Sequence, residues 1–118
     1  MSYITNPHML PKVRSDDLKE FARGEQCALR LPGICNHNPE TTVLCHLPGI
    51  GKGTGTKVSD IHAANGCSAC HDAMDRFKYE KFGLTDAMVL DAQLRGLAET
   101  QARWVMRGKL IVPKADII

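Results

Sequence analysis

Apolar residues along this chain fall in short bursts between turn-forming residues, with one long periodic stretch near the end. From Thr85 to about Arg107, the positions Met88, Leu90, Leu94, Leu97, Ala98, Trp104 and Val105 mostly keep helical spacing. Thr85 suits the N-cap of that helix and Gly108 its stop. Its arginines, Arg95, Arg103 and Arg107, are offset by Asp86, Asp91 and Glu99, so it reads as a packing helix with a solvated face. A second helix is expected from near Cys70 through Ala73, Met74 and Phe77, before Gly83 interrupts it. A short one is expected where Ser15, Asp16 and Asp17 precede Leu18, Phe21 and Ala22, with Gly24 ending it. Thr41 to Leu44, β-branched or aliphatic, predict a short strand.

The remaining segments read as connections. Residues 1–14 hold two prolines and no clear period, the pattern of an arm or a docking strand. Residues 27–39, with Pro32 and Gly33, suit a knuckle-like loop. The stretch from Pro48 to Lys57 carries four glycines in ten residues and reads as a flexible loop. It lacks Gly-Lys-[Ser/Thr] and strand-to-helix spacing, so it is no Walker loop. Lys52 and Lys57 with exposed backbone amides suit a phosphate there, and a plain solvated loop fits as well. No internal repeat is present. The organisation expected is an arm over 1–14, a central unit over 15–83, and a helix and tail over 84–118 belonging to the same domain.

Composition bounds the class. A chain of 118 residues with 43% hydrophobic and only 5% aromatic residues has a thin aliphatic core, to which a metal cross-link would add. The net charge of +2 neither establishes nor excludes a nucleic-acid partner, because phosphate contacts depend on local charge. The first residues show no basic start or apolar core of a secretory signal, and no apolar run approaches the ~20 residues of a membrane span. The chain therefore reads as soluble and cytoplasmic. In a reducing compartment, clustered cysteines favour metal over disulfides.

Four of the five cysteines are clustered, Cys27 with Cys35 and Cys67 with Cys70. Cys-x-x-Cys puts two sulfurs on one tight turn, where both reach a metal at ~2.3 Å. The first pair is more widely spaced but workable across its Pro-Gly turn, and about 31 residues lie between the pairs, a separation suited to one shared zinc closing a long loop. The alternative is that they are scattered thiols packed as small hydrophobes, a reading that suits the isolated Cys45 better. Cys67-Ser68-Ala69-Cys70-His71 also has the form of a c-type haem attachment site. Haem would require export and would leave Cys27 and Cys35 unexplained, so haem is not expected. No βαβ pattern precedes the pair to support a thioredoxin-like role.

Two histidines flank this scaffold. His46 follows the apolar stretch ending at Cys45, and His71 begins a helix directly after Cys70. Phosphodiester hydrolysis needs a base for water and a cation for phosphate charge. One neutral imidazole suits the first role, and a second suits ligation of the cation. A surface or core role is the commoner fate of a lone histidine; a pair beside a zinc knuckle points to chemistry.

With these residues in view, a family resemblance emerges. Leu44-Cys45-His46, the glycine-rich loop, Asp60 and Cys67-x-x-Cys70-His71 resemble the HNH (ββα-metal, His-Me finger) endonucleases. More closely, the stretch from Ala22 to Arg76 resembles the phage- and prophage-borne YbcO-like nuclease family, through Arg30-Leu31-Pro32-Gly33-Ile34-Cys35-Asn36, Asn38-Pro39-Glu40-Thr41, Gly53-Thr54-Gly55-Thr56-Lys57 and Cys67-Ser68-Ala69-Cys70-His71-Asp72.

The resemblance implies a small zinc-stabilised α+β domain of ββα-metal fold, with a short β-hairpin and flanking helices, acting on DNA in a bacterial host. It implies His46 as general base, Asp60 as its orienting partner and His71 as ligand of a catalytic divalent ion such as Mg²⁺ or Mn²⁺. HNH enzymes carry Asp or His immediately before the base; here that position is Cys45, whose thiolate would favour a softer ion. Asp75, one helical turn after His71, is a substitute ligand. Lys52, Lys57 and Arg76 are candidate phosphate contacts. The competing expectation is a zinc-bound nucleic-acid or protein adaptor that keeps the fold without cleavage, and Cys45 is the feature that favours it.

Overall fold

Ser15 starts a helix for the reason its sequence context suggests: its hydroxyl accepts the Leu18 N–H, and Asp16 and Asp17 occupy the first turn, where the helix dipole favours anions. In the computed structural model, which describes residues 11–47, 58–76 and 78–118, this helix is α1 (Asp16–Ala22). It is followed by β1 (Val43–His46), β2 (Ala63–Gly66), α2 (Ser68–Asp75) and α3 (Asp86–Met106). Short 3-10 turns lie at Pro39–Thr41 and Lys78–Phe82. The result is a small α+β domain with a two-stranded antiparallel hairpin and three α-helices among the described residues. No described helix is long and apolar enough to cross a membrane.

Four element boundaries differ from expectation, and both element starts do so for a local reason. The strand begins at Val43 rather than Thr41, because Asn38 caps a turn starting at Pro39 that takes in Thr41. It runs on to His46, in register Val43↔Gly66, Leu44↔Asn65, Cys45↔Ala64 and His46↔Ala63. The second helix begins at Ser68, because the Cys67 sulfur accepts the Cys70 N–H and so serves as N-cap. That helix ends at Asp75, and Phe77, expected within it, lies outside the described residues.

The face of α3 is the larger correction. Trp104 is fully buried as expected, but Met88, Leu90 and Leu94 are about half exposed, at 48%, 52% and 59%. The buried positions are Val89, Ala92, Gln93, Gly96, Thr100 and Trp104, which also keep helical spacing. Small residues occupy this face because the helix lies almost on backbone: a Cβ at Gly96 would stand 3.2 Å from the Ala28 carbonyl oxygen and 3.1 Å from a Leu29 methyl.

The hairpin divides the interior, since successive side chains point to opposite faces. Cys45 and Ala64 face a cluster with Leu29, Leu31, Met74, Tyr79, Leu84 and Val89. Leu44 and Ala63 face Leu18, Ala22 and Trp104. Gly66 permits the closest approach, because a Cβ there would lie 2.6 Å from Leu29 and 2.8 Å from the Cys45 sulfur.

Candidate metal cluster and histidine–aspartate site

The knuckle before β1 and the turn entering α2 bring Cys27, Cys35, Cys67 and Cys70 together, with all four sulfurs within 4.8 Å of one another. Cys67 and Cys35 sulfurs are 3.8 Å apart. A tetrahedron with ~2.3 Å arms has edges of ~3.8 Å, so the set is close to the size one zinc-like ion needs. None of the cysteines is in a disulfide. Cys27, Cys67 and Cys70 are buried and Cys35 is half-buried.

Backbone amides point at these sulfurs: Arg30 N–H lies 3.4 Å from Cys27 and Cys70 N–H 3.4 Å from Cys67. Hydrogen bonds of this kind favour thiolate and orient a ligand. The Cys70 thiol and then the Arg30 amide pull Cys27 down to about 4, against the opposing effect of burial. Its partner Cys70 is pushed upward by the same pairing and by burial, and desolvation lifts Cys35 to about 11. Four thiols this close cannot all ionise without a cation among them. Among the described residues this is the only group of three or more histidine, cysteine or acidic ligands close enough to hold a metal.

Cys45, the fifth cysteine, is fully buried in the core behind β1. Its S–H points to the Val43 and Gly66 carbonyls at 3.6 and 3.8 Å, and burial pushes its thiol far up. Strand alternation sets it on the opposite face from His46, among core side chains.

At the end of β1, His46 Nε2 lies 2.7 Å from Asp60 Oδ1. The imidazole is about one-third exposed, whereas the aspartate is 1% exposed. Burial works to raise the Asp60 carboxyl, but hydrogen bonds from His46 and the Ser15 amide outweigh it and hold the group below its ordinary value. An ionised Asp60 accepts only, so neutral His46 carries its proton on Nε2 and presents Nδ1 as the basic nitrogen.

On α2, His71 Nε2 and Asp75 Oδ2 are 3.1 Å apart, one helical turn from each other. Arg76 pairs with Asp72 at 2.9 Å and Lys78 reaches the same carboxylate at 3.3 Å. Lys52 and Lys57 lie outside the described residues. The structure thus joins His46 to Asp60 and His71 to Asp75, and places α2 against β1.

The sequence reading missed three residues beside this site. Ser15 donates its N–H to Asp60 Oδ2 at 2.7 Å, and Arg14 Nη1 stands 3.8 Å from Oδ1. His62 is half-buried at the entry to β2, its N–H on the Ser59 carbonyl and its C=O accepting from Leu47. No local pattern marks Arg14 or Ser15, because their partner lies 45 or more residues away.

Fold and site together define a class: a small hairpin-and-helix α+β domain with a four-cysteine metal-capable cluster beside a histidine–aspartate pair. Within it, the model of the family described as "Putative nuclease YbcO" matches residues 16–109, and the chain belongs to that family. The curated protein "Putative nuclease YbcO" of Escherichia coli (strain K12) is 46% identical over 94 residues, covering 78% of this chain and 94% of the relative. "Putative nuclease ybcO" of Enterobacteria phage 82 matches with the same identity and coverage. A solved structure titled "Structure of a putative bacteriophage protein from Escherichia coli str. K-12 substr. MG1655" superposes with a TM-score of 0.62 at 36% identity, covering 78% of this chain and all of that one.

Proposed function

We propose that this protein is a metal-dependent DNA endonuclease of the HNH (ββα-metal) type, with zinc in the four-cysteine cluster as a structural ion. The contact of His46 Nε2 with a buried Asp60 carboxylate carries the reading, because it orients a half-buried imidazole and sets the tautomer whose basic nitrogen is Nδ1. Its relatives carry the name "Putative nuclease", and one of them comes from a phage, which supports the same class.

In this mechanism His46 Nδ1 takes the proton from the attacking water, and Asp60 stabilises the imidazolium that results. His71 and Asp75 would hold the catalytic divalent cation, which supplies Lewis-acid stabilisation of charge on the phosphate. Their donor atoms stand 3.1 Å apart on one face of α2, so an imidazole and a carboxylate would be available together to such an ion. Arg76, and Lys52 and Lys57 from the glycine-rich loop, are the proposed phosphate contacts. The zinc cluster ties the knuckle to the start of α2 and so fixes His71 relative to β1.

The test is cleavage of supercoiled plasmid by zinc-loaded protein with Mg²⁺, Mn²⁺ or Ni²⁺. Nicked and linear products that vanish with EDTA are expected, and no product with any ion overturns the proposal. The burial of Cys45, where HNH enzymes carry a metal ligand, favours a second reading: a nucleic-acid-binding adaptor without cleavage. DNA binding without any nicking would select it.

A further inference from the structure

The polar contacts of residues 13–15 converge on one short segment. Val13 donates its N–H to Ser59 Oγ at 3.0 Å and accepts the Asp60 N–H at 2.9 Å. Arg14 Nη1 bonds the Val58 carbonyl at 2.8 Å. Ser15 N–H meets Asp60 Oδ2 at 2.7 Å, while Oδ1 receives His46 and faces Arg14.

We propose that Val13–Ser15 is a clamp, with Arg14 and Ser15 as positioning residues that act through Asp60 to fix the ring of His46. A buried carboxylate gripped at only one oxygen can rotate about its Cβ–Cγ bond, and a histidine hydrogen-bonded to it would follow. Here both oxygens are held, and the backbone carrying Asp60 is paired to the clamp from either side. The clamp adds little to the core: Val13 is 43% exposed and the Arg14 side chain 42%, so its contacts are directional rather than space-filling. The family match begins at Asp16, so the clamp precedes the matched region. Holding the base this way matters because a catalytic group displaced by ~1 Å can lose a large part of its rate.

The kinetic half of this proposal rests on the nuclease reading above, and the geometric half does not. The experiment uses full-length, zinc-loaded Arg14→Ala, Ser59→Ala and Arg14→Lys, with circular dichroism confirming the fold. Nitrogen NMR of the His46 ring, taken where imidazole is neutral, is expected to show one Nε2–H tautomer in the wild type and a mixture in Arg14→Ala and Ser59→Ala. In plasmid nicking, kcat is expected to fall by about tenfold with KM nearly unchanged, and Arg14→Lys, which keeps one donor, should recover part of it. A wild-type His46 spectrum in both alanine variants overturns the clamp. An inactive wild type overturns the nuclease reading instead, and the ring spectrum still decides the clamp.

Discussion

Asp60 sits where three parts of the chain meet: the segment before α1, the entry to β2 and the end of β1. Asp60→Asn tests its role sharply. Ser15 N–H needs an acceptor, so the amide oxygen turns to it and the NH₂ group faces His46 Nε2. That forces the imidazole proton onto Nδ1 and removes the proposed base. Nicking activity should fall on the order of 10²–10⁴-fold in a folded protein. Stability carries a second prediction. Because the folded carboxyl lies below its ordinary 3.8, its contribution is present above that pH and is lost as pH falls through the folded value. Urea unfolding of the wild type should therefore weaken on acidification through that range, with Asp60→Asn showing a shallower dependence. At Gly66 the constraint is space rather than charge: a Cβ would sit 2.6 Å from Leu29, and Gly66→Ala should cost about 1–3 kcal/mol by chemical denaturation.

At the scale of elements, the caps were readable and the packing face was not. Ser15 and Thr85 each accept the N–H three residues on, a local chemistry that the sequence displays. The face of α3 depends on Ala28 and Leu29, more than 60 residues earlier, whose close approach admits only small side chains. Periodicity weighted by size therefore selected Met88, Leu90 and Leu94, which are exposed, over Ala92, Gly96 and Thr100, which are buried. Leu94→Glu should change stability by no more than about 0.5 kcal/mol, whereas Ala92→Glu buries a charge against Leu31 and should unfold the domain or lower its melting point steeply. The cysteine pairs and their meeting at one shared site were legible from spacing, because Cys-x-x-Cys and a Pro-Gly turn are local signals. The clamp was invisible, since Arg14 gains meaning only beside Val58 and Asp60.

For the whole molecule, the cysteine cluster is part of the core, sharing one buried cluster with Leu29, Leu31 and Met74. A metal bound there adds its binding free energy to folding, as zinc does in small metal-dependent domains at about 10–16 kcal/mol. Metal analysis should give one zinc per chain, and a strong chelator should abolish cooperative unfolding, whereas a chain carrying no zinc and melting identically with chelator would remove the ion from the account. In the proposed mechanism the histidine–aspartate pair works on a scaffold that it does not build. The most direct measurement is plasmid nicking by His46→Ala protein that retains its zinc and its fold. A base role for His46 predicts wild-type cleavage with Mg²⁺ or Mn²⁺ and a loss of about 10²-fold or more in the variant. Equal cleavage by both proteins would contradict it.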